Sequence, residues 1–142
     1  RVAAAQGAPI GLPDMDLGSV PAWGGSARRP RAVARTSALD MILRGRKIDG
    51  AEAYRIGLVT ELVPVTDIKG RAQTLGEELA AQPRLAVKSM LEVVVGYETR
   101  TLEESMADEM NAAAATSGTA DAAEGMLAFI EKRKPVFNQV PE

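Results

Sequence analysis

Apolar positions fall into two regimes along the chain. From residue 66 onward they recur at helical spacing. Ile68, Ala72, Leu75 and Leu79 form one such stripe, and Thr66 is placed to cap that helix. Pro83 suits the first turn of the next helix, which is expected to bury Val87, Met90, Leu91 and Val94. Thr101-Leu102-Glu103-Glu104 is a capping box, opening a helix with Met106, Met110 and Ala113 inward. Thr119 caps a last helix with Met126, Phe129 and Ile130 apolar, and Pro135 follows its end.

Before residue 66 the apolar runs are short and interrupted. Arg1 to Ala5 is a strand end or a helix remnant, and Ile10-Gly11-Leu12 a short strand within an irregular stretch 9–18. A helix is predicted from Trp23 to Ala34, with a kink or break at Pro30. Thr36 or Ser37 then caps a helix from Ala38 to Arg44. Its apolar face is Leu39, Ile42 and Leu43, and Gly45 ends it. Asp49-Gly50-Ala51-Glu52 starts a short helix through Ile56, stopped by Gly57. Leu58 to Val63 reads as a strand or extended segment ended by Pro64.

Composition narrows the chemistry. The 142 residues suit one domain, with 46% hydrophobic and 25% charged positions, as in soluble globular proteins. Only five aromatic residues are present (one Trp, two Tyr, two Phe), so Ala and Met must fill much of the interior. The net charge of −2 argues against a general nucleic-acid binder, although Arg28, Arg29, Arg31 and Arg35 form a local basic patch. That patch is either a solvated face or a surface that meets a phosphate-bearing small molecule. With no Cys and no His, the chain offers neither a thiol nucleophile, nor a Ser-His dyad, nor a Cys/His metal site. Acid–base work therefore falls to Asp, Glu, Lys or Tyr. No apolar run is long enough to span a membrane and the first residues do not make a signal peptide, so the expected compartment is cytoplasmic.

One stretch stands apart. Residues 10–25 hold four glycines and two prolines, with Asp14 and Asp16 among apolar neighbours, and they run directly into helix-like sequence. Taken alone, such a stretch reads as an ordinary connection.

The order of motifs changes that reading. Gly11-Leu-Pro-Asp-Met-Asp-Leu-Gly-Ser-Val-Pro-Ala-Trp-Gly-Gly-Ser26 is followed by Arg31-Ala-Val-Ala-Arg35. Next come Met41-Ile-Leu-Arg-Gly-Arg-Lys-Ile48 and Ala51-Glu-Ala-Tyr-Arg-Ile-Gly-Leu-Val59, and the chain closes on Glu124-Gly-Met-Leu-Ala-Phe-Ile-Glu-Lys-Arg-Lys-Pro135. These five, in this order and at these intervals, resemble the C-terminal part of the crotonase (enoyl-CoA hydratase/isomerase) superfamily. The resemblance implies an α/β, crotonase-like (ClpP/crotonase spiral) fold. Residues 1–65 would form the end of the spiral core with one wall of an acyl-CoA site, and residues 66–142 a helical oligomerisation region. It also implies an N-terminal region carrying the oxyanion-hole loops, outside this chain, so that the chain is a fragment or part of a larger protein.

The implied chemistry needs no metal. A thioester carbonyl held between two backbone N–H donors becomes an enolate, and a nearby carboxylate moves a proton or activates water. The resemblance puts Asp14 at the position of the family's acid/base glutamate, one methylene shorter. Asp16 reads as a turn or cap residue. Trp23 and Gly24 match the acyl-pocket segment, Trp23 being otherwise a helix-start packing residue. Phe129 and Lys132 match positions on the last helix that approach coenzyme A. Without the resemblance Lys132 is a solvated charge. Arg28 and Arg31 are candidates for the coenzyme A phosphates. Arg29, Ala34 and Ala113 depart from the family pattern and point away from a standard short-chain hydratase.

The implied function is hydration or isomerisation of an enoyl-CoA, with coenzyme A entering as part of the substrate and no separate cofactor. The implied assembly is a homotrimer, or a hexamer of paired trimers, with no nucleic-acid or membrane partner. The alternatives are a catalytically incomplete piece serving oligomerisation, or a member with another outcome: dienoyl isomerisation, decarboxylation or thioester hydrolysis.

Overall fold

The computed structural model describes residues 1–139. The chain divides into two compact units, Arg1–Thr74 and Leu75–Glu142.

The first unit is built on a parallel strand pair. β1 (Val2–Ala4) aligns with β2 (Glu61–Val63), Val2 opposite Glu61 and Ala4 opposite Val63. Parallel neighbours require a crossover, and here it runs from residue 5 to residue 60 through three helices. These are α1 (Gly25–Ala32), α2 (Arg35–Leu43) and α3 (Gly50–Arg55). The core beneath them joins Met41, 2% exposed, to Ile48, Ala53 and Val59, with Ala3, Ile10 and Leu62 packed against it. An ion-pair chain links the exposed sides of α2 and α3. Arg46 reaches Asp40 at 2.7 Å and Glu52 at 2.8 Å, and Arg55 reaches Glu52 at 2.6 Å. At this exposure such pairs add little stability.

Several expectations are corrected in this unit. α1 spans Gly25–Ala32, so Trp23 precedes it; Pro30 lies inside, and the helix ends two residues later rather than breaking there. Pro30 can sit so near the end because few hydrogen bonds remain to be lost. α2 begins at Arg35 without a side-chain cap, placing Thr36 and Ser37 in its first turn. Its buried positions are Ala38 and Met41, whereas Leu39 and Leu43 are exposed. Three apolar residues at helical spacing did not tell which side faces Ile48 and Ala53. Ile10 makes a single antiparallel bridge to Ile48 rather than a strand. Of the segment 58–63 only Glu61–Val63 joins the ladder, because the Leu58 and Val59 amides are spent on the Ala53 carbonyl at the end of α3.

α4 (Ile68–Ala80) contains the boundary between the units. Thr66 does not cap it. A 3-10 turn, Val65–Asp67, intervenes, and the Thr66 hydroxyl donates to the Asp67 carboxylate. At its start Arg71 pairs with Glu61 of β2 through two bonds of 2.6 and 2.8 Å.

The second unit packs α5 (Arg84–Gly96) on α6 (Leu102–Ser117) and α6 on α7 (Ala120–Glu131). The predicted caps at Thr101 and Thr119 are present. Thr101 and Glu104 exchange bonds in a full capping box, and the Thr119 hydroxyl accepts from the Ala122 amide. The predicted burial is not. Val87 is half-buried, but Met90, Leu91, Val94, Met106, Met110 and Met126 are all exposed, and Ala128, 1% exposed, is the one buried hydrophobic residue among the described residues of this unit. A helical stripe reveals that a face is apolar, not that the same chain covers it.

Candidate active site

The stretch 10–25 is fixed at both ends. Ile10 exchanges backbone bonds with Ile48, 2.8 Å out and 2.9 Å back. Pro13 then opens a 3-10 turn, Pro13–Leu17, that packs on α2. Its preset φ suits a first-turn position, where its missing N–H costs nothing. Gly18 closes the turn at φ 68, its N–H on the Met15 carbonyl, and Ser19 donates to the Asp14 carbonyl at 3.0 Å.

Asp14 is thus held by its backbone while its side chain stays uncommitted. It is half-buried, and its carboxylate makes no hydrogen bond or ion pair among the described residues. Asp16 differs. Its carboxylate lies over Gly45, where a side-chain carbon would meet Oδ1 at 2.9 Å. Gly45 also sits at φ 58, so the turn after α2 requires glycine for two reasons. The two acids of one short turn therefore separate into one that packs on a neighbouring loop and one that is free.

The segment then doubles back through buried Pro21, whose carbonyl accepts from the Ser26 hydroxyl at 3.2 Å. Trp23 is 93% exposed. Gly24 adopts φ 83 as the N-cap of α1, a conformation L side chains rarely take. The Arg28 guanidinium folds over Gly24 and donates to the Trp23 carbonyl at 2.7 Å. Arg31 donates to the Ala27 carbonyl at 2.8 Å. Both arginines proposed for phosphate contact are therefore bonded to the backbone of their own segment. A cleft of about 470 Å³ lies beside α1, with Ile10, Leu12, Gly25 and Val59 as apolar lining and Arg28 and Arg29 as polar lining. Arg29 is half-buried there, and its pKa is lowered by that burial and by the like charge of Arg1. Asp14 does not line this cleft.

Phe129 and Lys132 belong to the second unit, and Asp14, Trp23 and Gly24 to the first. Phe129 is 81% exposed near the end of α7. Lys132 caps that helix in the left-handed conformation, φ 55, its N–H on the Phe129 carbonyl. Its ammonium has no hydrogen bond or ion pair among the described residues.

The residues after α7 fold back onto it, which the sequence reading missed. Arg133 grips Glu124 through two bonds of 2.6 and 2.8 Å, and the Val136 amide adds a third to Glu124 at 2.8 Å. These partners hold the Glu124 carboxyl at about 2 instead of its ordinary 4.5, Arg133 contributing most. A carboxyl pKa depressed by folding adds stability above its unfolded value. The contribution fades as pH falls below about 4.5 and is gone below about 2. The protection of the 133–138 amides relative to their intrinsic exchange rates will accordingly fall between pH 5 and pH 2. Exchange that tracks intrinsic rates alone would show that Glu124 does not hold the tail. The advance signal was a Glu inside α7 and an Arg just past its end.

No group of three or more His, Cys, Asp or Glu able to hold a metal ion occurs among the described residues, and no helix there is long and apolar enough to cross a membrane.

The family model for enoyl-CoA hydratase/isomerase matches residues 1–140. A protein of Mycobacterium leprae (strain TN), named "Probable enoyl-CoA hydratase", is 40% identical over 134 residues, 94% of this chain and 52% of its own length. A "Probable enoyl-CoA hydratase, mitochondrial" of Dictyostelium discoideum is 34% identical over 137 residues, 96% of this chain and 50% of its own. The crystal structure of an enoyl-CoA hydratase from Bacillus anthracis superimposes with a TM-score of 0.90 at 32% identity, covering 99% of this chain and 54% of that one. One from Geobacillus kaustophilus HTA426 does so with a TM-score of 0.90 at 29% identity, covering 99% and 53%. The chain thus spans about half the length of the relatives it matches. Its α/β fold is the crotonase-like one, and the chain belongs to the enoyl-CoA hydratase/isomerase family.

Proposed function

We propose that this chain supplies one wall of an acyl-CoA site in a complete enoyl-CoA hydratase or isomerase, with Asp14 as the carboxylate that moves a proton. The observation that carries the proposal is Asp14 itself, half-buried, backbone-locked at the head of a 3-10 turn, and without a side-chain partner among the described residues. A structural aspartate so placed would be expected to pair or cap, as Asp49 does in accepting the Glu52 amide.

The chemistry follows from the thioester. Two N–H donors, assigned by the family resemblance to chain outside these 142 residues, stabilise the oxyanion as the carbonyl becomes an enolate. Asp14 then moves a proton at the carbon beside that carbonyl. In hydration, water oxygen bonds to carbon 3 and a proton to carbon 2. In isomerisation the proton leaves carbon 2 and another is delivered to carbon 4. Coenzyme A comes and goes as part of the substrate. Residues 1–65 carry this wall. Residues 66–142 carry the oligomerisation helices of a trimer or hexamer, for which the exposed Met90, Met106, Met110 and Met126 supply apolar contact surface.

The test is turnover by the full-length protein. A trans-2-enoyl-CoA should lose its conjugated-thioester absorbance, or a 3-enoyl-CoA should gain it, without added metal. A full-length protein that binds both thioesters and changes neither contradicts the proposal.

A further inference from the structure

The turn that carries Asp14 rests on the loop between α2 and α3 at both of its ends. Ahead of the turn, Ile10 is bonded to Ile48 in both directions. Gly11 then passes so close to the same loop that a side-chain carbon on it would stand 2.8 Å from Lys47 Cγ and 3.2 Å from Lys47 Cα. Behind Asp14, the Asp16 carboxylate fills the space over Gly45, its Oδ1 2.9 Å from where a side-chain carbon would be. That is a contact of shape, which an amide in place of the carboxylate keeps. Residues 45–48 are thus the seat of the turn, and a shift of the seat carries Asp14 with it.

The seat is itself attached to the helices on either side. Ile48 is buried in the Met41 core, 4% exposed. The Gly45 amide closes α2 on the Ile42 carbonyl at 3.3 Å. Between them, the Arg46 guanidinium donates to Asp40 of α2 through Nη1 at 2.7 Å and to Glu52 of α3 through Nη2 at 2.8 Å. Neither acid depends on it for a partner, since Arg44 pairs with Asp40 at 2.9 Å and Arg55 with Glu52 at 2.6 Å. Those two pairs each stay with one helix, whereas Arg46 ties the seat to both. A planar guanidinium with two fixed donors suits that task, because two carboxylates on it define a location and not merely a distance. Pairs this exposed add little stability. They can still matter to a reaction, because misplacing a catalytic group by about 1 Å costs up to about 10²-fold in rate.

We infer that Arg46 is a positioning residue for Asp14: by bridging α2 and α3 it fixes the seat on which the Asp14 turn lies. The assignment rests on the proton-transfer role proposed above for Asp14. Arg46 acts through the turn and not on the substrate, and the ion-pair chain around it serves the placement of one carboxylate rather than the stability of the unit.

The experiment follows enoyl-CoA turnover by the full-length protein. Arg46→Met removes the two donors and keeps much of the side chain's length. It should lower kcat about tenfold, short of the full cost of a 1 Å shift because Ile48 and Gly45 still hold the loop. KM should stay within about twofold, and the thermal midpoint should fall by a few degrees at most. Arg46→Lys keeps the charge but presents it as a point on a flexible stem, so it should lose less, about threefold. In an Asp14→Asn background no carboxylate remains to be misplaced, and neither change should lower the rate further. A merely structural Arg46 would lower the rate by the same factor in both backgrounds. That result, or an unchanged kcat when Asp14 is present, overturns the positioning role and leaves the role of Asp14 standing. Should Arg46→Met fail to fold, Arg46→Lys carries the same comparison. If Asp14→Asn alone keeps the full rate, the proton-transfer reading falls and the positioning role falls with it.

Discussion

Asp14→Asn in the full-length protein will lower kcat on an enoyl-CoA by about 10²–10⁴-fold, the range that a positioned general acid or base contributes. Substrate affinity should change little. The amide has the shape of the carboxylate, and the Asp14 side chain has no hydrogen bond or ion pair among the described residues to lose. The turn around it is built from backbone bonds, Gly18 to Met15 and Ser19 to Asp14, which the substitution does not touch. A stability change beyond about 0.5 kcal/mol is therefore not expected, and a lost rate can be assigned to chemistry. Asp14→Glu moves the carboxylate outward by one methylene without removing it. Misplacement by about 1 Å costs up to about 10²-fold, so the glutamate variant should remain above the asparagine variant. Asp16→Asn is the internal control, since that carboxylate lies over Gly45 and is given no part in proton transfer. Steady-state kinetics and thermal melts on the three variants check the prediction.

Gly50→Ala will destabilise the first unit by about 3 kcal/mol, the upper end of what overpacking costs. Gly50 is buried at the start of α3. A methyl group there would fall on the carbonyl oxygen of Ala4, within 3.0 Å of its carbon and 3.2 Å of Leu62 Cδ2. Ala4 is part of β1 and cannot retreat freely, because Ala4 is paired with Val63 and the next amide, Ala5, donates to the Val63 carbonyl at 2.9 Å. Either α3 shifts away from the strands or the short ladder opens. Since α3 also forms one wall of the Met41 core, both routes loosen the frame that holds residues 10–25. Gly70→Ala gives the contrast: Gly70 lies in α4 with nothing within 4 Å of an added carbon. There the same chemical change should stabilise by about 0.4–1 kcal/mol through helix propensity and the unfolded chain's entropy. Urea titrations of both variants read the difference; equal midpoints would show that the Gly50–Ala4 approach is not constrained.

Legibility followed the range of the interactions. The caps at Asp49, Thr101 and Thr119 could be read directly, because a cap and the amide that donates to it lie within three residues. The strand pair was legible only as two candidate extended segments. Its parallel register joins residues nearly sixty positions apart, which no local pattern encodes. Burial was the least legible property. Met41 rather than Leu39 or Leu43 enters the core, and the methionines of α6 stay exposed, since an apolar stripe does not name its partner. Within the candidate site, Asp14 emerged from the order of five motifs rather than from its own surroundings in the sequence. Glu124, Arg133 and Asn138 escaped notice because their bonds depend on the left-handed turn at Lys132 and on a tail crossing back to the start of α5.

The most direct test of Asp14's role is proton exchange beside the thioester. The full-length protein and its Asp14→Asn variant would each be incubated in D2O with a saturated acyl-CoA, and the carbon-2 protons followed by NMR. This isolates enolate formation and proton return from water addition, double-bond position and product release. Deuterium should enter carbon 2 with the wild type, and about 10²–10⁴-fold more slowly with the variant. Exchange at equal rates in the two proteins would contradict that role.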